Sequence, residues 1–284
     1  MTPRRLGRRP LLLAGSLGLL AGCADEDPTP PRTPTPAPPA APARPSTRIP
    51  GLARLERRSG ARIGVYVDPP TEPLEHRADE RFALCSTFKT VLAGAVLAGE
   101  PEPGASLRED LRRAVSDSDN DAANRLIDRL GGPASVTRFA RTLGDDVTRL
   151  DRREPDLNSA VPGDPRDTTS PRAIAATYRT LVLGDALPRG ARDLLTDLLV
   201  GSTTGAERIR AGLPEDWWVG DKTGTGGYGS THDVAVVRPP GGEAFVLAVY
   251  TSYDDPAAEP DQDLVAAVAR LVVSAAAGPA GSRR

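Results

Sequence analysis

The order of the predicted secondary-structure elements restricts the fold of this chain more than any other feature of the sequence. Residues 61–67 alternate as a β-strand does, and residues 86–98 form an apolar run typical of a buried helix. Further helices are predicted at residues 52–58, 107–115, 119–130 and 134–143. Beyond Pro214 the pattern changes to three strands and a closing amphipathic helix, at residues 217–223, 233–237, 244–251 and 261–275.

This order predicts an α/β architecture in two lobes. The N-terminal and C-terminal segments build one antiparallel sheet flanked by helices, and the middle of the chain forms an all-helical lobe. Residues 151–168 are charged and contain three prolines, which indicates a long loop between helices. A new helix is expected at Ser170 and Pro171, because serine is a common N-cap and proline is favoured at the first helical position.

The first 46 residues precede the folded domain, for which we predict residues 47–284. Residues 1–22 contain four arginines followed by an apolar run too short to span a bilayer, as in a signal peptide. Small residues before Cys23 resemble a bacterial lipoprotein cleavage box, which makes Cys23 the predicted lipidation site; an ordinary signal peptide with an incidental cysteine is the alternative. Residues 23–46 are rich in proline and predict an extended tether. We expect an exported protein, anchored on the outer face of the cytoplasmic membrane or secreted.

Charge and cysteine content exclude several classes of partner and cofactor. The formal net charge is −2 even with the arginine-rich leader included, so the body is acidic and offers no electrostatic basis for binding nucleic acid. The two cysteines, Cys23 and Cys85, provide no disulfide framework. His76 and His232 are isolated, and no second ligand pattern predicts a metal or another cofactor. We expect a monomer that contacts the membrane through its lipid alone.

The sequence Ser86-Thr87-Phe88-Lys89 places a hydroxyl and an amine one helical turn apart on the same face. A serine needs an adjacent base to act as a nucleophile. Lys89 can be that base if burial or a second cation lowers its pKa. The start of the helix also offers the Ser86 N–H to a developing oxyanion. By itself this pattern is frequent in proteins.

The lysines of the chain lie in two short motifs that favour the same chemistry. Among 36 basic residues, lysine occurs only at Lys89 and Lys222. A compact ammonium that can lose its proton differs from a guanidinium, so we interpret both as functional, with chance in an arginine-rich sequence as the alternative. Lys222-Thr223-Gly224 lies in a predicted strand. Its edge can present the Thr225 N–H as a second oxyanion donor, and the Thr223 and Thr225 hydroxyls to a substrate carboxylate.

Two polar motifs lie between the lysines. Ser118-Asp119-Asn120 begins a predicted helix, where Ser118 relays a proton and Asn120 binds substrate, or where Ser118 is simply an N-cap. Glu154 and Asn158 lie four residues apart in the long loop and can hold one water between them, with Glu154 as its general base. Each motif alone is more typical of polar surface.

Together the four motifs resemble those of class A β-lactamases of the actinobacterial type. They occur in the order of that family, and the intervals from Ser118 to Glu154 and from Glu154 to Lys222 are similar to those of its members. S-x-x-K, S-D-N and K-T-G are the known signature of class A β-lactamases and penicillin-binding proteins. The similarity begins near residue 46 and includes residues 77–82, 203–205, 208–214 and 221–226. It implies a two-lobed serine β-lactamase and penicillin-binding-protein-like fold, and a serine hydrolase whose substrate is a small β-lactam.

The resemblance also implies a role for each motif residue. Ser86 is the nucleophile, and Lys89 and Glu154 are rival bases for acylation. Ser118 and Lys222 pass a proton to the leaving nitrogen. Glu154, together with Asn158, holds the water that hydrolyses the acyl-enzyme.

Further roles follow from the same resemblance. Many members carry a carboxylate-binding arginine at the position of Thr231, and Arg208 lies where actinobacterial members keep a replacement. Arg208 is therefore the predicted carboxylate ligand, with Asn120 as an amide ligand for a substrate side chain. Arg152 and Asp167 match the ion pair that closes the family's Ω-loop.

One interval departs from the family pattern. Between Lys89 and Ser118 there are 28 residues, about half the typical number, and the missing piece would hold part of the active-site wall. This departure favours, as the alternative to hydrolysis, a non-catalytic or weakly catalytic cell-wall lipoprotein that binds β-lactams or peptidoglycan. A D,D-peptidase is a further alternative, against which Glu154 and Asn158 argue.

Overall fold

A computed structural model describes residues 47–68 and 73–276. The predicted signal peptide, the tether and Cys23 lie outside the described residues, so these assignments remain predictions. Within the described ranges, no helix is long and apolar enough to cross a membrane.

The strands form one large sheet and one small ladder. In chain order they are β1 (Thr47–Arg48), β2 (Arg62–Asp68), β3 (Leu74–His76), β4 (Phe82–Ala83), β5 (Thr168–Thr169), β6 (Trp218–Thr225), β7 (Thr231–Arg238) and β8 (Phe245–Ser252). Six of them make a sheet in the order β1-β3-β2-β8-β7-β6, and β4 pairs with β5. Strand β1 runs parallel to β3, whereas the other neighbouring strands are antiparallel.

The helices occupy both faces of the sheet and the lobe beside it. They are α1 (Leu52–Ser59), α2 (Phe88–Gly99), α3 (Ala105–Val115), α4 (Asn120–Arg129), α5 (Ala134–Thr142), α6 (Pro171–Tyr178), α7 (Arg189–Val200), α8 (Ile209–Gly212) and α9 (Gln262–Ala276). A π-helical stretch, Arg179–Leu183, continues α6. Ser170 caps α6 as expected, because its side chain accepts a hydrogen bond from the Ala173 N–H at 3.3 Å.

Alternating side chains of the sheet divide the core into two layers, since successive residues of a strand point to opposite faces. Ile63 and Val65 on β2 pack with residues of α1 and α9. Val234 and Val236 on β7 pack in the other layer, together with α2 and the helical lobe. The structure confirms the predicted α/β fold, with an antiparallel sheet flanked by helices and a helical lobe.

The sequence-based boundaries differ from the structure in a few places. The predicted helix at residues 86–98 begins at Phe88. Helix α7 was not predicted, although Ala191, Leu195, Leu198 and Leu199 are buried at the spacing of one helical face. Strands β1 and β3 were also missed because they span two and three residues, too few for an alternating pattern to be recognised.

The shortened interval before the S-D-N motif is accommodated by a short link between two helices. Residues 100–104 join α2 directly to α3, and α3 ends at Val115, three residues before Ser118. Helix α2 contacts α3, α4, α5 and α7. The helical lobe therefore still delivers Ser118 to the N-terminal end of α2.

Candidate active site

Ser86 lies in a single 3₁₀ turn, Cys85–Thr87, immediately before α2. We refer to these three residues as the serine turn. Cys85 has a left-handed φ of 42°, which is uncommon for a residue with a side chain. Strand β6 lies against the turn at Gly224, where a Cβ would be 3.1 Å from Cβ of Cys85 and 3.1 Å from Cγ2 of Thr87. Glycine at position 224 therefore allows the K-T-G strand to approach the turn this closely.

The Ser86 hydroxyl and the Lys89 amine converge on one carboxylate oxygen. Oγ of Ser86 donates a hydrogen bond to Oε1 of Glu154 at 3.2 Å, and Nζ of Lys89 lies 3.1 Å from the same atom. Nζ also donates to the main-chain oxygen of Ser118 at 2.8 Å and to Oδ1 of Asn120 at 2.6 Å. Three acceptors match the three hydrogens of an ammonium group. Within the described part of the chain, Ser86 is thus hydrogen-bonded to Glu154 and reaches Lys89 only through that carboxylate.

Lys89 and Glu154 form an ion pair that solvent does not reach. Neither side chain has any exposed surface. Burial lowers the pKa of Lys89, and the Glu154 carboxylate opposes that shift. A charge buried in this way depends on its partner, because an unpaired ion in the interior is costly.

Ser118 occupies a strained backbone position, with φ of 60°. Its hydroxyl accepts a hydrogen bond from Nζ of Lys222 at 2.8 Å. The alternative interpretation of Ser118 as a helix cap is wrong, because Asp119 is the N-cap of α4 and accepts from the Ala122 N–H at 2.6 Å. The Ser118 hydroxyl is therefore not used to hold the helix end.

Lys222 is fully buried on β6. Besides Ser118, its ammonium donates to the main-chain oxygen of Thr223 at 3.0 Å. Burial lowers the pKa of Lys222 to about 7, and repulsion by Lys89 adds to that effect. The two lysines thus lie on either side of Ser118, one bonded to its main chain and the other to its hydroxyl.

The long loop presents Glu154 and Asn158 to the serine turn. Nδ2 of Asn158 donates to Oε2 of Glu154, whereas Oδ1 of Asn158 is buried without a hydrogen-bond partner in the described structure. Asn124 on α4 fixes Glu154 from the main chain: it donates to the Glu154 carbonyl oxygen at 3.0 Å and accepts from its N–H at 3.1 Å. This role of Asn124 was not predicted, although its position one turn after Asn120 places both on one helix face.

Arg152 and Asp167 join the two ends of the loop. Nε of Arg152 donates to Oδ2 of Asp167 at 2.6 Å. Oδ1 of Asp167 accepts from the main-chain N–H groups of Asp151 at 2.7 Å and of Arg152 at 2.9 Å. Asp167 is fully buried and has a φ of 52°, so one carboxylate closes the loop through three hydrogen bonds.

Arg208 lies behind the edge of β6. Its NH2 group donates to Oγ1 of Thr225 at 2.7 Å, and its NH1 group donates to the main-chain oxygens of Gly224 and His232 at 2.8 and 2.7 Å. Thr225 is exposed, whereas Arg208 is buried. Thr231 is fully buried and donates to the Gly229 oxygen at 2.9 Å. The guanidinium thus stands behind the Thr225 hydroxyl at the edge of the site.

Thr223, the remaining residue of the predicted carboxylate site, is buried on β6 beside Lys222. Its hydroxyl lies 2.6 Å from that of Thr204. In the described part of the chain, no group of three or more His, Cys, Asp and Glu side chains could hold a metal ion. His232 is fully buried, and burial lowers its pKa to about 3, so the ring is neutral.

The sequence of this chain is similar to those of known β-lactamases. A family model described as the β-lactamase enzyme family matches residues 99–276. The chain is 44% identical to β-lactamase AST-1 of Nocardia asteroides, covering 96% of this chain and 97% of that protein. It is 43% identical to a β-lactamase of Mycobacterium tuberculosis, covering 96% and 98%. These alignments extend over 306 and 318 positions, more than the 284 residues of this chain, so both relatives carry positions that it lacks.

The structure of this chain is also similar to solved structures of β-lactamases. The β-lactamase of Desulfarculus baarsii superposes with a TM-score of 0.77 at 45% identity, covering 81% of this chain and 96% of that one. An ancestral class A β-lactamase superposes with a TM-score of 0.74 at 48% identity, covering 79% and 98%.

Proposed function

We propose that this chain, which belongs to the β-lactamase enzyme family and is a class A serine β-lactamase, hydrolyses β-lactam antibiotics. The reaction proceeds through an acyl-enzyme on Ser86, which is then hydrolysed by a water that Glu154 activates. The observation that carries this proposal is the shared oxygen of Glu154, which accepts the Ser86 hydroxyl and contacts Lys89.

Acylation begins when Oγ of Ser86 attacks the carbonyl carbon of the β-lactam ring. Its proton passes to Glu154, because that carboxylate is the acceptor already bonded to Oγ. The three hydrogens of the Lys89 ammonium point at three acceptors. This arrangement favours a role for Lys89 as a cation that stabilises the site, rather than as the acylation base. The N–H groups of Ser86 and Thr225 bind the developing oxyanion, a contribution worth about 10²–10³ in rate for each donor.

Ring opening requires a proton on the leaving nitrogen. The Ser118 hydroxyl supplies it when the carbon–nitrogen bond breaks, and Lys222 returns a proton to Ser118 through the 2.8 Å hydrogen bond. Because Asp119 and not Ser118 caps α4, the Ser118 hydroxyl is available for this transfer. The substrate carboxylate lies at Thr223 and Thr225, and a substrate side chain lies at the amide of Asn120.

Before deacylation, the proton that Glu154 took from Ser86 passes to Lys222, which had lost one to Ser118, so that Glu154 is again a carboxylate. Deacylation then uses the other carboxylate oxygen of Glu154. Asn158 donates to Oε2 of Glu154, and its own buried Oδ1 can accept a hydrogen bond from a water. Glu154 removes a proton from that water as it attacks the ester carbonyl, and the proton then returns to Oγ of Ser86. Asn124 keeps the carboxylate in place through the main chain.

The test is turnover of a chromogenic cephalosporin by the purified protein, combined with mass spectrometry of the quenched reaction. We expect many turnovers per molecule and an adduct on Ser86. Ser86→Ala should lose both, whereas Ser106→Ala, at an exposed serine on α3, should retain both. A single stoichiometric burst would identify a D,D-peptidase-like acylation, and the absence of any adduct would identify a non-catalytic binding protein.

We also propose that the protein is exported and anchored by lipid on Cys23, as the N-terminal sequence predicts. Cells labelled with radioactive palmitate should yield a labelled protein in the membrane fraction, and Cys23→Ser should remove the label. Label that persists in the Cys23→Ser variant would contradict the anchor.

A further inference from the structure

Two buried tyrosines donate hydrogen bonds to one residue of the serine turn. The Tyr178 hydroxyl donates to the main-chain oxygen of Thr87 at 2.8 Å, and the Tyr250 hydroxyl lies 2.8 Å from Oγ1 of Thr87. Oγ1 of Thr87 in turn donates to the main-chain oxygen of Leu84 at 2.6 Å. Because a threonine hydroxyl has one hydrogen, which Leu84 accepts, Tyr250 is the donor to Thr87.

Both tyrosines are fixed in place and remain protonated. Neither has exposed surface, and burial raises the pKa of each phenol. The ring of Tyr250 stacks on His232 with 4.4 Å between centroids, and it lies 5.8 Å from the ring of Phe82. The two hydroxyls are therefore permanent donors on rigid supports from α6 and β8.

The serine turn is held between these phenols and β6. Cys85 has the left-handed φ of 42°, a conformation that surrounding contacts must maintain. At position 224 on β6, a Cβ would already lie 3.1 Å from two side-chain atoms of the turn, so a side chain there would push against the turn. The separation of the turn from β6 fixes the distance between the Ser86 and Thr225 N–H groups, which must both point at one oxyanion.

We propose that Tyr178 and Tyr250 are positioning residues for acylation, and that through Thr87 they hold Ser86 at the distance from β6 at which the nucleophile and both oxyanion donors meet the substrate carbonyl. This inference rests on the acyl-enzyme proposed above. It concerns a hydrogen-bond chain, Tyr250–Thr87–Leu84, whose three residues have no exposed surface.

The test separates acylation from deacylation in Tyr178→Phe and Tyr250→Phe, which remove one oxygen atom each. With a slowly hydrolysed β-lactam, mass spectrometry of quenched samples gives the rate at which the Ser86 adduct forms, and dilution gives the rate at which it disappears. We expect the acylation rate to fall about tenfold in each variant, because small displacements of a reacting group have effects of this size. The deacylation rate should fall less, because Ser86 is then already bonded to the carbonyl carbon and only the oxyanion donors are displaced. Tyr66→Phe is the matched control, because Tyr66 is buried on β2 beneath the Arg172 guanidinium and donates to no atom of the turn.

A second pair of variants tests the chain at its centre. Thr87→Val removes the hydroxyl at constant shape and should slow acylation as the tyrosine variants do, whereas Thr87→Ser keeps the hydroxyl and should restore the rate. Wild-type acylation rates in both phenylalanine variants would overturn the proposal. Acylation and deacylation rates that fall equally in these variants would also overturn it, and so would rates that fall as much in Tyr66→Phe. Either result would indicate a general structural role for the tyrosines. A wild-type protein without a Ser86 adduct would instead refute the proposed function, whatever the tyrosines do.

Discussion

Nζ of Lys89 lies 3.1 Å from Oε1 of Glu154, and neither side chain is exposed to solvent. Each side chain is therefore buried beside its ionic partner, and a substitution at either position leaves the other without that partner. Oγ of Ser86 donates to the same carboxylate oxygen, so this pair decides where the serine proton goes.

Replacement of Glu154 by glutamine tests the base directly. If Glu154 accepts the serine proton and activates the deacylating water, Glu154→Gln should slow both steps by about 10²-fold or more. Pre-steady-state formation and decay of the acyl-enzyme measure the two rates. Asp156→Asn, at an exposed carboxylate in the same loop, should leave both rates near the wild-type values. An acylation rate that Glu154→Gln leaves intact would make Lys89 the acylation base.

The pH dependence of kcat/KM should show the loss of a proton from Lys222, the buried lysine of β6. Lys222 has a pKa of about 7 because of burial and the nearby Lys89. Its ammonium predominates below that pH and is lost above it, so kcat/KM, which reports the free enzyme, should decline as the pH rises through about 7. Lys222→Arg keeps the charge at all these pH values, and it should remove the alkaline decline even if its rate is lower. A wild-type profile that stays flat to pH 9 would contradict the assignment.

Loss of the Thr225 hydroxyl should weaken the binding of substrates with a carboxylate. Thr225→Val should raise KM about tenfold, because a hydrogen bond to a charged group contributes about 1.5–3 kcal/mol. Arg208→Ala should raise KM at least as much and also lower the melting temperature, since Arg208 holds two main-chain oxygens of β6 and β7. Esterified substrates serve as the control, and an equal effect on ester and acid would show that the carboxylate does not bind at Thr225. The double variant should be less than additive, because both residues act on one group.

The ion pair that closes the loop should stabilise the fold and support deacylation. Asp167→Asn keeps the shape and the left-handed backbone that asparagine tolerates, but it removes the charge that binds Arg152. We expect a loss of about 2–4 kcal/mol in the free energy of unfolding, measured by urea denaturation, and a slower deacylation. Asp128→Asn removes an exposed ion pair between α4 and Arg153 of the same loop and should cost less than about 1 kcal/mol. Equal losses in the two variants would contradict the special role of Asp167.

Much of the fold could be predicted from the sequence, because its long elements carry clear periodicities. The bounds of the three C-terminal strands and the closing helix differ from the predicted ones by one or two residues, with the largest shifts at the end of β6 and the start of β7. Strands β1 and β3 could not be recognised, since they are too short to show an alternating pattern and are defined only by their pairing with each other and with β2. Helix α7 shows that an available pattern was overlooked, because its leucines follow a helical spacing.

The site was predictable at the level of residue types and less so at the level of contacts. Four motifs in order named the side chains that meet around Ser86. The direct hydrogen bond from Ser86 to Glu154 could not be predicted, because it joins residues 68 positions apart in the sequence. The supports of the site, Asn124, Tyr178 and Tyr250, were also missed. Their side chains act on main-chain atoms or a hydroxyl, and such partners leave no motif.

The short link at residues 100–104 also bears on how the chain folds. It makes α2 and α3 sequence neighbours, so that Lys89 and Ser118 are brought together across an interval of 28 residues. Halving such an interval lowers the entropic cost of closure by about 0.6 kcal/mol, and local contacts form faster than distant ones. We therefore expect the lysine and serine of the helical lobe to meet before the sheet has closed, which hydrogen exchange during refolding would detect as early protection of α2 and α3.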